Sequence, residues 1–189
     1  MRYAPEHNDA TRERILEAAS RLFRQHGIAA VGLAKIMAEA GLTVGTFYTH
    51  FKSKEALVRE ALLRSLDARH EAVEHALHGA DLEVVVRAYL SPEHRDRAGT
   101  GCPVASLASE IARHPRATRS AFASHNAATL DTLAAWLSSL RGNEVTRADA
   151  AALLGLLAGT LQLARATPDR AESDAILAAG VRAAIRLAK

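Results

Sequence analysis

Apolar residues recur along this chain at the three- and four-residue spacing that gives a helix one buried face, and the pattern predicts an all-α protein. In the first helix Ile15, Ala18, Ala19, Leu22 and Phe23 form the buried stripe, with Arg12, Arg14, Arg21 and Arg24 outside it. Asp9 or Thr11 is placed to cap that helix, and Gly27 stops it after His26. Ahead of it, residues 1–8 are polar, contain Pro5 and read as a mobile arm. Leu33, Ile36, Met37 and Ala40 give a second, short helix that closes at Gly41, where a left-handed residue can end it. A third runs from Val44 to about Phe51, with Thr43 able to cap it through its hydroxyl. A long helix follows from Ser53 to about His78, since no glycine or proline interrupts it before Gly79. The remainder reads as helices over 82–90, 102–113, 116–140, 147–165 and 172–187, with the polar, glycine-containing segment 91–101 as a loop.

The stretch 33–54 carries the most informative chemistry. Phe47 and Phe51, four apart, share one face of the third helix and anchor it, leaving Val44, Thr46, Tyr48, Thr49 and His50 around the rest. A short helix held by its back, with a small and polar front, suits the major groove of DNA, where base edges are read through donors, acceptors and methyl contacts. Lys52 and Lys54 follow at the helix end and could meet phosphates, as could the free amides of a helix beginning near Ser53. Two helices joined by a glycine turn also occur in enzymes, so the spacing alone leaves both readings open.

Composition narrows the choice. A chain of 189 residues that is 49% apolar suits one or two small domains with a packed core. A formal net charge of +3 and a pI near 9.3 permit nucleic acid without demanding it. The basic excess is local: between residues 35 and 54, Lys35, Lys52 and Lys54 stand against Glu39 alone. One cysteine excludes an internal disulfide, and without an apolar leader the chain is expected to be cytoplasmic. Gln162 and Arg165 break the apolar run near residue 160 before the roughly 20 residues a membrane span needs, so no membrane partner is expected. No phosphate-binding glycine loop, paired-cysteine zinc spacing or Gly-x-Ser-x-Gly elbow occurs, so no enzyme, metal or cofactor is called for.

From Gly27 to Leu57 the pattern G-(x)8-I-(x)4-G-(x)3-G-T-F-Y-x-H-F-x-S-K-E-x-L resembles the TetR/AcrR family of one-component transcriptional repressors. The resemblance implies a helix-turn-helix from Leu33 to Phe51, with Tyr48, His50 and Lys54 on the phosphate backbone. It implies further that Thr43, Val44, Gly45, Thr46 and Thr49 face bases or nearby phosphates. Val31-Gly32, Ala34 and Val44 depart from the residues frequent in that family, which bears on the code of base reading rather than on the fold. The family's organisation implies an N-terminal three-helix DNA-binding domain, residues 1–52. It implies also a helical domain, residues 53–189, that dimerises and binds a small-molecule effector.

Outside the head, several features carry two readings each. The arginines of the first helix are a solvated face or DNA contacts. His70, Glu71, Glu74, His75 and His78 are a solvated face or, with His70, Glu74 and His78 as ligands, a metal-binding or enzymatic site. Ala151, Gly155 and Gly159, and likewise Ile176, Gly180, Ala184 and Leu187, form small-residue ridges that permit close helix approach. They complete an intrachain core or, as the resemblance implies, a homodimer interface over about 147–187. Tyr89, Phe122, His125, Asn126 and Trp136 are candidate linings of an effector cavity or ordinary core residues. Cys102, at the start of a helix, is a redox or electrophile sensor or a small buried side chain. The reading that joins these is a homodimeric repressor released from a pseudo-palindromic operator by a small effector.

Overall fold

The computed structural model describes residues 5–188, with side-chain surroundings from residue 9 onward, and every regular element among them is helical. The helices are α1 (Pro5–His26), α2 (Leu33–Glu39), α3 (Val44–His50), α4 (Lys54–Leu77), α5 (Leu82–Tyr89), α6 (Pro92–Asp96), α7 (Pro103–Ile111), α8 (Arg116–Arg141), α9 (Arg147–Ala166) and α10 (Arg170–Leu187). A single 3-10 turn, Ala98–Thr100, stands between α6 and α7. No helix among the described residues is long and apolar enough to cross a membrane.

Two expectations at the start of the chain are corrected. Helix α1 begins at Pro5, so residues 5–8 are helical rather than part of an arm, and Asp9 and Thr11 lie inside the helix instead of capping it. Nothing between residues 6 and 26 breaks a helix, so it propagates back to the proline. The rest of the expected arm, residues 1–4, lies outside the described residues. The outward arginines of α1 are not a free solvated face either. Arg12 pairs with Glu60 of α4 and Arg21 with Glu39 of α2, while Arg14 donates to the Ala40 carbonyl at 2.5 Å. Arg24 donates through Nε to the Gly99 carbonyl at 2.8 Å. Because α1 lies against α2, α4 and the 98–100 turn at once, each arginine finds an acceptor on a neighbour.

One core gathers Ile15, Leu22 and Phe23 of α1, Ile36 and Met37 of α2, Phe47 and Phe51, and Leu57 to Leu66 of α4. Leu107 and Ile111 of α7 close it from the other side. A second core lies among α5, α7, α8, α9 and α10, built on Val86, Leu137, Leu153, Leu161, Leu177 and Val181. The long helix α4 belongs to the first core at its start, and α8 packs along it. Ser53 caps α4 by accepting the Ala56 amide at 3.1 Å.

The segment 91–101 is the other correction: it is not a loop throughout. Ser91 accepts the His94 amide at 3.1 Å and Pro92 occupies the first turn, which starts the one-turn helix α6. Arg95, buried, then fastens the segment to α10. Its guanidinium meets Asp96 at 2.9 Å, Ser173 Oγ at 2.9 Å and Asp174 at 2.5 Å, and Arg170 meets Asp96 at 2.8 Å. Those hydrogen bonds, first from Arg95 and then from Arg170, pull the Asp96 carboxyl down to about 2.

The two small-residue ridges meet different fates. On α10 a side-chain carbon at Gly180 would sit 2.4 Å from Thr160 Cγ2 of α9, and Ala184 is fully buried, so this ridge closes the chain's own α9–α10 pair. On α9 Gly155 and Gly159 face open space, Ala151 is exposed and Leu163 is 64% exposed.

Candidate DNA-binding helix and effector cavity

Helix α3 is fixed from behind. Phe47 is wholly buried and stacks on Phe51 with ring centroids 5.6 Å apart and planes 20° apart, as a four-residue helical spacing allows. The turn before it needs Gly41, whose φ of +66° would strain any other residue, and the Leu42 amide closes on the Met37 carbonyl at 2.8 Å. With Phe47 inward, the opposite side is left to solvent. Thr43, Gly45 and Thr49 are exposed, Thr46 is half-buried, Val44 is 41% exposed and Tyr48 is 68% exposed. Thr43 occupies the N-cap position, but its hydroxyl caps no amide. It lies instead 3.2 Å from the Thr46 hydroxyl, which keeps both on the exposed side.

The expected phosphate contacts differ in their surroundings. Tyr48 stands free in solvent, its ring edge-on to Phe47. His50 is half-buried, its Nδ1 sealed without a partner; desolvation, with Arg12 close by, lowers its pKa below 6.5. Lys54 donates to the Ile28 carbonyl at 3.0 Å, so its ammonium braces the turn between α1 and α2. The same turn is held from the body: Glu110 of α7 accepts the Ile28 amide at 3.1 Å and the Ala29 amide at 3.0 Å. Gly27 makes room for that carboxylate, since a side-chain carbon there would meet Glu110 Oε1 at 2.7 Å.

Between α4, α5, α7, α8 and α9 lies a cavity of about 430 Å³. Ser65, Arg69, Val73 and Leu77, each one turn apart on α4, form one wall, and Tyr89, His94 and Cys102 form another. Thr129 and Leu133 of α8 and Leu154 and Leu157 of α9 close it, and Arg24 reaches in from α1. His94 is neutral here by its bonding. Its Nδ1 donates to the Tyr89 carbonyl at 2.7 Å, its Nε2 accepts the Cys102 amide at 3.0 Å, and burial pushes its pKa down. Burial likewise raises the Tyr89 phenol and lowers the Arg24 guanidinium.

Residues 15–61 match the model of the family described as bacterial regulatory proteins, tetR family. Over that stretch the chain carries a TetR-family helix-turn-helix region. The transcriptional regulator TtgR of Pseudomonas putida is 41% identical over 81 residues, which is 43% of this chain and 38% of TtgR. The regulator AcrR of Shigella flexneri is 46% identical over 50 residues, 26% of this chain and 23% of AcrR. The matched stretch thus spans less than half the length of these curated relatives. Among solved structures, reduced E. coli NemR superposes with a TM-score of 0.75 at 23% identity, covering 94% of this chain and 96% of NemR. A TetR-family regulator from Cytophaga hutchinsonii does so with a TM-score of 0.75 at 20% identity, covering 98% of each. At these identities the likeness is one of fold.

Within the helical body the cavity includes Tyr89, one of the five lining candidates, together with Cys102, the sensor candidate. Phe122 packs on the first core and Trp136 on the second. His125 bonds to the Ala121 carbonyl at 3.1 Å and lies 3.8 Å from Asp67, and Asn126 keeps a sealed, unpartnered Oδ1; none of these four lines the cavity. Cys102 is 3% exposed and neighbours the Tyr89 hydroxyl. Arg24, Arg69, His94 and Thr129 were missed. The signal for Arg69 was present, since an arginine interrupts the one-turn spacing Ser65, Val73, Leu77, but the run of histidines beside it masks that break. Of these, His70 pairs with Glu74 at 3.4 Å, and no cluster of three metal-ligating side chains occurs among the described residues.

Proposed function

We propose that this chain is a homodimeric transcriptional repressor of the cytoplasm, bound to a pseudo-palindromic operator and released by a small-molecule effector. Residues 1–52 read DNA, and residues 53–189 dimerise and hold the effector. The observation that carries this reading is the exposed front of α3, with Val44, Thr46, Tyr48 and Thr49 presented to solvent by the buried Phe47 of a TetR-family head. The open ridge of Ala151, Gly155, Gly159 and Leu163 on α9 supports a second copy docking there. The contacts of Arg24 with Gly99 and of Glu110 with the 28–29 turn support a rigid link from cavity to head, through which an effector changes the separation of the two α3 helices.

The test begins with selection of bound duplexes from a random DNA library, followed by fluorescence anisotropy on the winners. Tyr48→Ala is expected to weaken binding about tenfold on all sequences, as loss of a phosphate contact does, whereas Val44→Ala shifts base preference. Equal loss of specificity from both, or binding that survives removal of residues 1–52, overturns the assignment.

A further inference from the structure

We propose that the cavity is shaped for a small amphipathic anion, a carboxylate on an apolar body, with the acid group seated on Arg69 beside Tyr89. This rests on the reading of the cavity as the effector site and adds the chemical class of the occupant. Arg24 and Arg69 line the cavity and no aspartate or glutamate does. Arg69 Nε and Thr129 Oγ1 are sealed from solvent without a hydrogen-bond partner in the protein, and the equally sealed Tyr89 hydroxyl has only the Cys102 thiol beside it. Arg69 lies over the Tyr89 ring, 5.7 Å from its centroid, so two of these donors share one corner. Elsewhere the fold does satisfy a buried guanidinium: Arg95 meets Asp96, Ser173 and Asp174. Arg69 has no such set.

A guanidinium offers donors only, and leaving its sealed Nε unpaired is costly, so the partner that suits it is an acceptor, a negatively charged one above all. The lining offers no charged acceptor at this place: both ring nitrogens of His94 are already engaged, and the Tyr89 and Thr129 hydroxyls are neutral. A carboxylate accepts from Arg69 and Tyr89 together through its two oxygens. The remaining wall is apolar, with Val73, Leu77, Leu133, Leu154 and Leu157, and receives hydrocarbon. A cation finds no counter-charge there, and a neutral alcohol leaves the guanidinium charge unanswered. Arg24 comes from α1, so an anion in this cavity also pulls on the head.

The experiment uses the full-length protein and two matched probe series: decanoate, 1-decanol and decyltrimethylammonium; and 2-naphthoate, 2-naphthylmethanol and 2-naphthylmethylammonium. Binding is read by calorimetry and by the shift in thermal unfolding. In at least one series the carboxylate is expected to bind about tenfold more tightly than the alcohol, with the ammonium weakest. Arg69→Gln is expected to erase that margin while alcohol binding persists, and Tyr89→Phe, which keeps the ring, to reduce it. The proposal is overturned if no carboxylate binds, if an alcohol or ammonium binds as well, or if the margin survives in both variants. Preferred carboxylate binding that leaves operator affinity unchanged upholds the cavity chemistry and sinks the effector reading instead.

Discussion

The core beneath α3 and the cavity beside α4 lie in one small chain and are filled in opposite ways. Under α3 the space is taken by Phe23, Phe47, Ile36, Met37 and Leu57, all essentially without solvent exposure. Beside α4 the helices leave about 430 Å³ unfilled and line it with an arginine Nε and a threonine hydroxyl that have no hydrogen-bond partner, and with a phenol that has only a thiol beside it. A reading surface has to hold one shape, and close packing of rigid side chains gives it that. A ligand site has to keep room and leave polar groups unanswered, at a cost to the empty protein that an occupant returns. On the proposed function, the contrast is a division of labour written in packing density.

The largest expected effect tests that division. Phe47→Ala should destabilise the protein by about 3–5 kcal/mol, because it removes a fully buried ring from a tightly closed site. Leu133→Ala, on the cavity wall, should cost only about 1–2 kcal/mol, since one side of that residue already faces empty space. Urea unfolding of the two variants measures the difference, and equal losses would erase the contrast between the regions.

The same contrast explains what could be read in advance. The devices that shape α3 locally lie within 33–54, namely the stripe of Ile36 and Met37, Gly41, the Phe47–Phe51 pair and Ser53 at the next cap, with Phe23 and Leu57 completing the core from outside. Local spacing is enough to recognise a device built locally. The cavity draws Arg24, Arg69, Tyr89, His94, Cys102, Thr129 and Leu154 from six helices and the N-cap of α7, and no local pattern joins them. Phe122 shows the difficulty. It looked as fit for a cavity as Tyr89 and shares a face of α8 with Thr129 and Leu133, two and three turns on, yet its place nearer the helix start sets it against the first core while they reach the cavity. The α6 turn was missed for another reason: Ser91 with Pro92 is a helix-start signal, hidden in a segment whose glycines and charges read as loop.

A smaller effect sharpens the picture of the head itself. Ser53 and Thr43 both stand at helix starts, and sequence gives them the same role. Ser53 Oγ accepts the Ala56 amide at 3.1 Å, whereas the Thr43 hydroxyl meets the Thr46 hydroxyl and caps nothing. Ser53→Ala should therefore cost about 1 kcal/mol, and Thr43→Ala no more than about 0.3 kcal/mol, in urea unfolding. Thr43→Ala should instead show itself in operator binding, because its hydroxyl lies on the exposed side of α3. A Thr43→Ala loss as large as that of Ser53→Ala would return the hydroxyl to a structural role.

The smallest expected effect belongs to the cavity and depends on pH. His94 is held neutral, donating from Nδ1 to Tyr89 and accepting at Nε2 from Cys102, and burial lowers its pKa from 6.5, with the positive charges of Arg165 and Arg69 adding to the shift. Above pH 6.5 the ring is neutral in both folded and unfolded chains, so its contribution to stability is whole. As pH falls below 6.5 the unfolded chain takes up a proton that the folded one refuses, and stability declines until the lowered folded pKa is reached. Partial solvent access keeps the effect small. His50, also lowered from 6.5, adds a slope of the same sign from the head. His94→Gln, which keeps one donor and one acceptor but no titration, separates the two: its unfolding midpoint between pH 7 and pH 5 should fall less steeply than that of the unaltered protein. Identical slopes would mean that His94 takes a proton as readily in the cavity wall as in the open chain, and that the wall is wetter than its unpartnered donors indicate.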